Sequence, residues 1–115
     1  MGIRDNFKKG SVEMILLMLL AEGDKYGYQL SQEVSGRSGG LIAIPEGSMY
    51  PTLYKLEENG YISDYRELVG KRQTRVYYHM EDSGKVRLDE LKAEYKLFNQ
   101  GMRRLFKNQQ GGMTE

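Results

Sequence analysis

Four cations, Arg66, Lys71, Arg72 and Arg75, crowd into residues 65–80 against the single acid Glu67. A smaller group, Arg4, Lys8 and Lys9 against Asp5, opens the chain. Between them, residues 11–64 hold eight acids and three bases, and residues 81–115 hold seven bases and six acids. The formal net charge of +1 therefore hides two basic islands flanking an acidic body. Islands of this kind suit an anionic surface such as a phosphate backbone, with plain solvation as the alternative.

Other chemistry lacks its parts. With no cysteine and one histidine, thiol catalysis, disulfides, iron–sulfur clusters and thiolate zinc sites are excluded. Ser48, Ser83 and the other serines have only His79 as a base, and His79 lies in the strand-like run Tyr77-Tyr78-His79-Met80. Glu57-Glu58 and Asp89-Glu90 are sequence neighbours, so on a helix each pair diverges by about 100°. The 14 glycines include no phosphate-loop or dinucleotide-binding pattern after a strand. The expectation is a protein that is not an enzyme and has neither metal nor cofactor.

At 115 residues and 39% hydrophobic content, the chain can build one domain with an appended helix. Val12 to Ala21, apolar except for Glu13, is too short to span a bilayer and reads as a buried helix. No secretory signal opens the chain, so a cytoplasmic protein without a membrane partner is expected. Ser11 stands where an N-cap belongs. Asp24 is placed to cap a second helix through about Val34, with Tyr26, Leu30 and Val34 at helical spacing. Ser35 to Gly40 reads as a loop, and Leu41-Ile42-Ala43-Ile44 as a short strand. A third helix opens at Pro45-Glu46-Gly47-Ser48 and stops at Asn59-Gly60. Starting near Gly47 or Ser48, it would hold Pro51 in its first turn, where a missing N–H is harmless. Tyr61 to Leu68 and Arg75 to Met80 form a hairpin across Val69 to Thr74. After Glu81-Asp82-Ser83-Gly84 a long helix runs to about Asn108.

Three helices, a hairpin and a final helix follow the order of a winged helix-turn-helix. On the third helix, Met49, Leu53 and Leu56 share the core side. Ser48, Pro51, Thr52 and Lys55 face away, and Tyr50 and Tyr54 lie on a flank. That outward face suits a helix N-terminus entering a major groove, and an ordinary surface helix has the same pattern. Lys71 and Arg72 at the hairpin tip, with Arg75 shortly after, can straddle a backbone or enter a minor groove, or simply shield an edge strand. Lys8, Lys9 and Ser11 have the same double reading. The fold class expected is mainly α with a small β-hairpin: a winged helix-turn-helix over residues 1–80, a dimerisation helix over 81–108 and a flexible tail over 109–115.

The dimer follows from the last helix. Leu88, Leu91, Tyr95, Phe98, Met102 and Leu105 recur at alternating spacings of three and four, a heptad seam. A helix of about 25 residues is about 37 Å long, more than a small three-helix core can cover. Leu91, Tyr95, Phe98, Met102 and Leu105 are therefore expected at a homodimer interface, while Leu88 and Leu91 also reach back to the first helix.

These residues also resemble a known family. Gly27-Tyr28-Gln29-Leu30 is similar to the start of the second helix in PadR-like transcriptional regulators. Gly47 to Ile62, with Met49-Tyr50-Pro51-Thr52-Leu53 and Leu56-Glu57-Glu58-Asn59-Gly60, resembles that family's recognition-helix block. Gly70-Lys71-Arg72 with Arg75-Val76-Tyr77-Tyr78 resembles its wing, and Gly84 matches the glycine opening its last helix. Glu81 departs from the usual threonine there, leaving Asp82 or Ser83 to cap. The resemblance, over about residues 7–107, implies a dimeric repressor on an inverted-repeat operator of double-stranded DNA. It implies DNA contacts at Ser48, Tyr50, Lys55, Lys71, Arg72 and Arg75. It also implies a small aromatic or hydrophobic effector, for which Tyr95, Phe98 and Met102 are the candidate lining; these side chains would equally fill a plain interface. The rival expectation is a winged-helix protein-interaction module without DNA affinity.

Overall fold

The leucine-rich segment Val12–Leu20 forms the central helix, α2, and the core is built around it. The computed structural model describes the backbone of residues 2–114 and the side chains of residues 2–109. In chain order the elements are α1 (Ile3–Lys8), a 3-10 turn (Lys9–Ser11), α2, β1 (Lys25–Tyr26), α3 (Gly27–Arg37), α4 (Glu46–Glu58), β2 (Ile62–Val69), β3 (Gln73–Met80) and α5 (Asp82–Thr114). The fold is mainly helical, with a small antiparallel sheet.

Leu16 and Leu17 of α2, Leu30 of α3, and Met49, Leu53 and Leu56 of α4 are fully buried together with Ile44. Each such side chain is worth roughly 1.5–3 kcal/mol, against at most about 1 kcal/mol for an exposed ion pair, so the three-helix core dominates. Ion pairs set the joints. Arg87 of α5 binds Glu13 of α2 at 2.9 and 3.2 Å. Lys25, 8% exposed, meets Glu33 at 3.2 Å and ties β1 to α3.

Several local expectations are corrected. Helix α1 is an addition to the expected elements. It brings the chain to Ser11 already turning, so Ser11 precedes α2 without any side-chain cap bond. Asp24 does not cap α3: β1 intervenes, and Tyr26, in extended conformation, takes the N-cap place. Leu41 to Ile44 is no strand. Ser38 Oγ accepts from the Ile42 N–H at 3.0 Å, and Ile44 plugs the core at 2% exposure. The run is apolar because it is buried, and the sheet's third strand is β1, in the order β1-β3-β2.

Pro51 lies in the second turn of α4, because Pro45 already starts the helix: its carbonyl accepts from both the Ser48 and Met49 N–H at 2.9 Å. Pro51 therefore withholds a hydrogen bond from the Gly47 carbonyl. Gly60, at φ +76°, ends α4 as expected. Ser83 donates to the Gly60 carbonyl at 2.6 Å instead of capping α5, and Asp82 is the helix's first residue. Helix α5 continues past Asn108 to Thr114. Glycine lowers helix propensity by about 1 kcal/mol without forbidding it, so the segment expected as a tail is helical through Thr114, and Glu115 lies outside the described residues.

Candidate nucleic-acid interface

Helix α4 turns Met49, Leu53 and Leu56 inward at 1–2% exposure, and Ser48, Pro51 and Lys55 outward. Thr52 is half-buried, and its hydroxyl donates to the Ser48 carbonyl at 2.9 Å. Tyr50 and Tyr54 stand 43% and 63% exposed.

On one flank, Lys8, Lys9, Ser48 and Thr52 line a groove of about 870 Å³ between the N-terminal segment, α3 and α4. Lys9 and Thr52 also join Lys55 along an adjacent groove of about 370 Å³. Lys8 and Lys9 of the first basic island are thus brought to one surface with Ser48, Thr52 and Lys55 of α4. Lys8 differs from expectation in one respect. Its ammonium bonds the Ala43 carbonyl and, at 3.2 Å, Asp5, holding the Asp5 carboxyl below the usual carboxylate range. Its side chain, at 12% exposure, braces α1 against the 41–44 segment. Ser11 lines none of these grooves.

On the other flank, Tyr50 and Arg75 line a groove of about 440 Å³ with Tyr28 and Gln73. The Arg75 guanidinium lies 4.3 Å from the Tyr26 ring centroid. Val69 pairs with Gln73, so Gly70, Lys71 and Arg72 make the turn of the wing, with Gly70 at φ +76° and both cations exposed. They stand at the hairpin tip, apart from the grooves.

The base of the wing is fastened by contacts that sequence reasoning missed. Asp24 meets His79 Nδ1 at 2.7 Å and accepts from the Tyr65 hydroxyl at 2.8 Å. His79 holds Asp24 below its ordinary range, and Asp24 raises His79 and pushes Tyr65 up to about 12. Between α4 and β2, burial and then Asp64 push Glu57 up to about 7, and burial pushes Tyr78 up to about 12. The local signal for Tyr28 was present in Gly27-Tyr28; Asp24 and His79 are too far apart in sequence to leave one.

Residues 16–90 match the transcriptional regulator PadR-like family. An uncharacterized protein of Lysinibacillus sphaericus is 34% identical over 93 residues, covering 81% of this chain and 85% of its own. A transcriptional regulator from Clostridium thermocellum superposes with TM-score 0.81 at 30% identity, over 86% of this chain and 96% of that one. Bacillus subtilis PadR, in a structure with operator DNA, superposes with TM-score 0.65 at 26% identity, over 70% of this chain and 45% of that one.

Proposed function

Because the chain belongs to the PadR-like family of transcriptional regulators, we propose that it binds double-stranded operator DNA as a homodimer and represses transcription from an inverted-repeat site. The observation that carries this reading is the α4 surface. An exposed face of small polar residues is flanked by grooves lined with Lys9 and Lys55 on one side and Arg75 on the other. The wing cations Lys71 and Arg72 extend it. The Bacillus subtilis relative is bound to operator DNA, which supports DNA binding by this chain.

Roles divide by chemistry. Ser48, Pro51, Thr52 and Lys55 enter the major groove, where base edges are read, and Tyr50, on the flank of α4, reaches a phosphate. Lys8, Lys9, Ser11, Lys71, Arg72 and Arg75 lie along the backbone, Lys8 through the segment it braces.

The dimer is supported by α5. The molecule is 69 Å long and 29 Å wide, and only the start of the helix packs on the core: Leu88 is 5% exposed and Leu91 is partly buried. Further on, Tyr95, Phe98 and Leu105 are 47%, 67% and 61% exposed on the same seam. Apolar surface of this kind seeks a partner, and a second copy offers the matching seam. Between two such helices Tyr95, Phe98 and Met102 supply a space for a small aromatic or hydrophobic effector that releases the DNA.

The test is the salt dependence of DNA binding. Removing both Lys71 and Arg72 should lower the slope of log affinity against log salt by about 0.9 for each phosphate they neutralise. An unchanged slope would remove the wing from the interface.

A further inference from the structure

The groove beside the wing holds more than Tyr50 and Arg75. We infer that Tyr28 and Gln73 join these two in gripping one phosphodiester of the DNA backbone between α3, α4 and β3, an assignment that rests on the DNA-binding reading above.

Strand pairing makes the groove. β1 covers only Tyr77 and Tyr78 of β3, through Tyr26 and Lys25. The β3 edge from Gln73 to Val76 extends beyond it, and the groove of about 440 Å³ lies there. Its floor depends on Gly27. A Cβ there would stand 2.9 Å from Tyr50 Cζ and closer still to the hydroxyl. Glycine therefore lets the Tyr50 ring lie against the first turn of α3.

The lining chemistry selects an anion. Tyr28 and Tyr50 bring phenol hydroxyls, Gln73 an amide and Arg75 a guanidinium; no carboxylate lines the groove. Arg37 and Arg87 have carboxylate partners, whereas among the described residues Arg75 has no ion-pair partner. It faces Glu67 across the β2–β3 ladder, yet its guanidinium is held over Tyr26. Stacking fixes the cation's plane and leaves its edge donors free for phosphate oxygens. The first turn of α3, an 11-residue helix with no acidic residue there and no side-chain cap, adds a favourable field. A bridging phosphodiester fits better than a base edge, because the groove lies on the flank of α4, along the half of β3 next to the wing turn. The grip would set where the protein sits on the duplex, without reading sequence.

Fluorescence anisotropy with Tyr28→Phe, Gln73→Leu and Arg75→Ala tests this on DNA from upstream of the protein's own gene and on a scrambled duplex. Tyr28→Phe and Gln73→Leu should each weaken binding to both duplexes by the same factor, roughly three- to tenfold, with the salt slope unchanged. Arg75→Ala should weaken both and lower the slope by about 0.9. Scanning neutral methylphosphonates along the upstream duplex should find a position at which Tyr28→Phe causes no further loss. Inorganic phosphate at matched ionic strength should displace no more DNA than chloride does; greater displacement would reassign the groove to a free anion. Wild-type affinity in Tyr28→Phe and Gln73→Leu would overturn the grip while leaving DNA binding intact. A loss confined to the upstream duplex would make the groove a base reader. A wild-type protein that binds neither duplex would overturn the grip together with the reading it rests on.

Discussion

Tyr50 and Gly27 are in contact that only glycine allows: a Cβ on Gly27 would stand 2.9 Å from Tyr50 Cζ. The first turn of α3 and the exposed flank of α4 are thereby locked in one arrangement. Gly84 makes a second close approach of a different kind, with its Cβ position 3.1 Å from the carbonyl carbon of Tyr61. That carbonyl also accepts the Glu81 N–H at 2.9 Å.

The two glycines should respond differently to alanine. At Gly27 the obstacle is the far end of a partly exposed side chain, which can swing away. With the ring free to move, the strain stays small, so Gly27→Ala should lose DNA affinity more than stability. At Gly84 the obstacle is backbone, and Gly84→Ala should cost roughly 1–3 kcal/mol. Urea denaturation of both variants checks the order; a Gly27→Ala protein less stable than Gly84→Ala would contradict it.

His79 should titrate above its ordinary 6.5 because Asp24 stabilises its charged form. The folded-state value is raised, so this contribution to stability is fully present below pH 6.5 and fades as pH rises through the folded value. Asp24 has the opposite sign: its value is depressed below 3.8, so its contribution holds above that pH and fades as pH falls through the depressed value. NMR titration of the His79 ring should show the raised value in the native chain and a return toward 6.5 in Asp24→Asn. Identical curves would mean that the pair does not form in solution.

Much of this frame was legible because it is local. Met49, Leu53 and Leu56 repeat at helical spacing, Gly60 and Gly70 mark their turns, and the α5 seam is written in heptads. The rest depends on distant partners. Lys25–Tyr26 is too short to carry a strand pattern and exists as β1 only because Tyr77 and Tyr78 pair with it. Ile44 belongs to an apolar run, which alternation alone cannot tell from a strand. Lys8 reads as a free cation until the fold brings the Ala43 carbonyl to it.

Phe98→Asp should convert the protein to a monomer by light scattering, because the change sets a charge in the middle of the exposed α5 seam. Weaker binding to the upstream DNA should accompany it, since a monomer engages a single half-site. A dimer of unchanged stability would move the interface off this seam.

Ser48→Ala and Lys55→Ala should change the ratio of affinities for upstream and scrambled DNA, by up to about 1–3 kcal/mol where the side chain reads a base edge. Equal weakening on both duplexes would assign these side chains to the DNA backbone.

The central claim is tested most directly by fluorescence anisotropy of the purified protein with two duplexes, one from upstream of its own gene and one scrambled, each at low and physiological salt. Tight binding that favours the upstream duplex and weakens as salt rises is the expected result. Failure to bind either duplex at low salt would contradict the claim and turn the α4 surface into a candidate site for a protein partner.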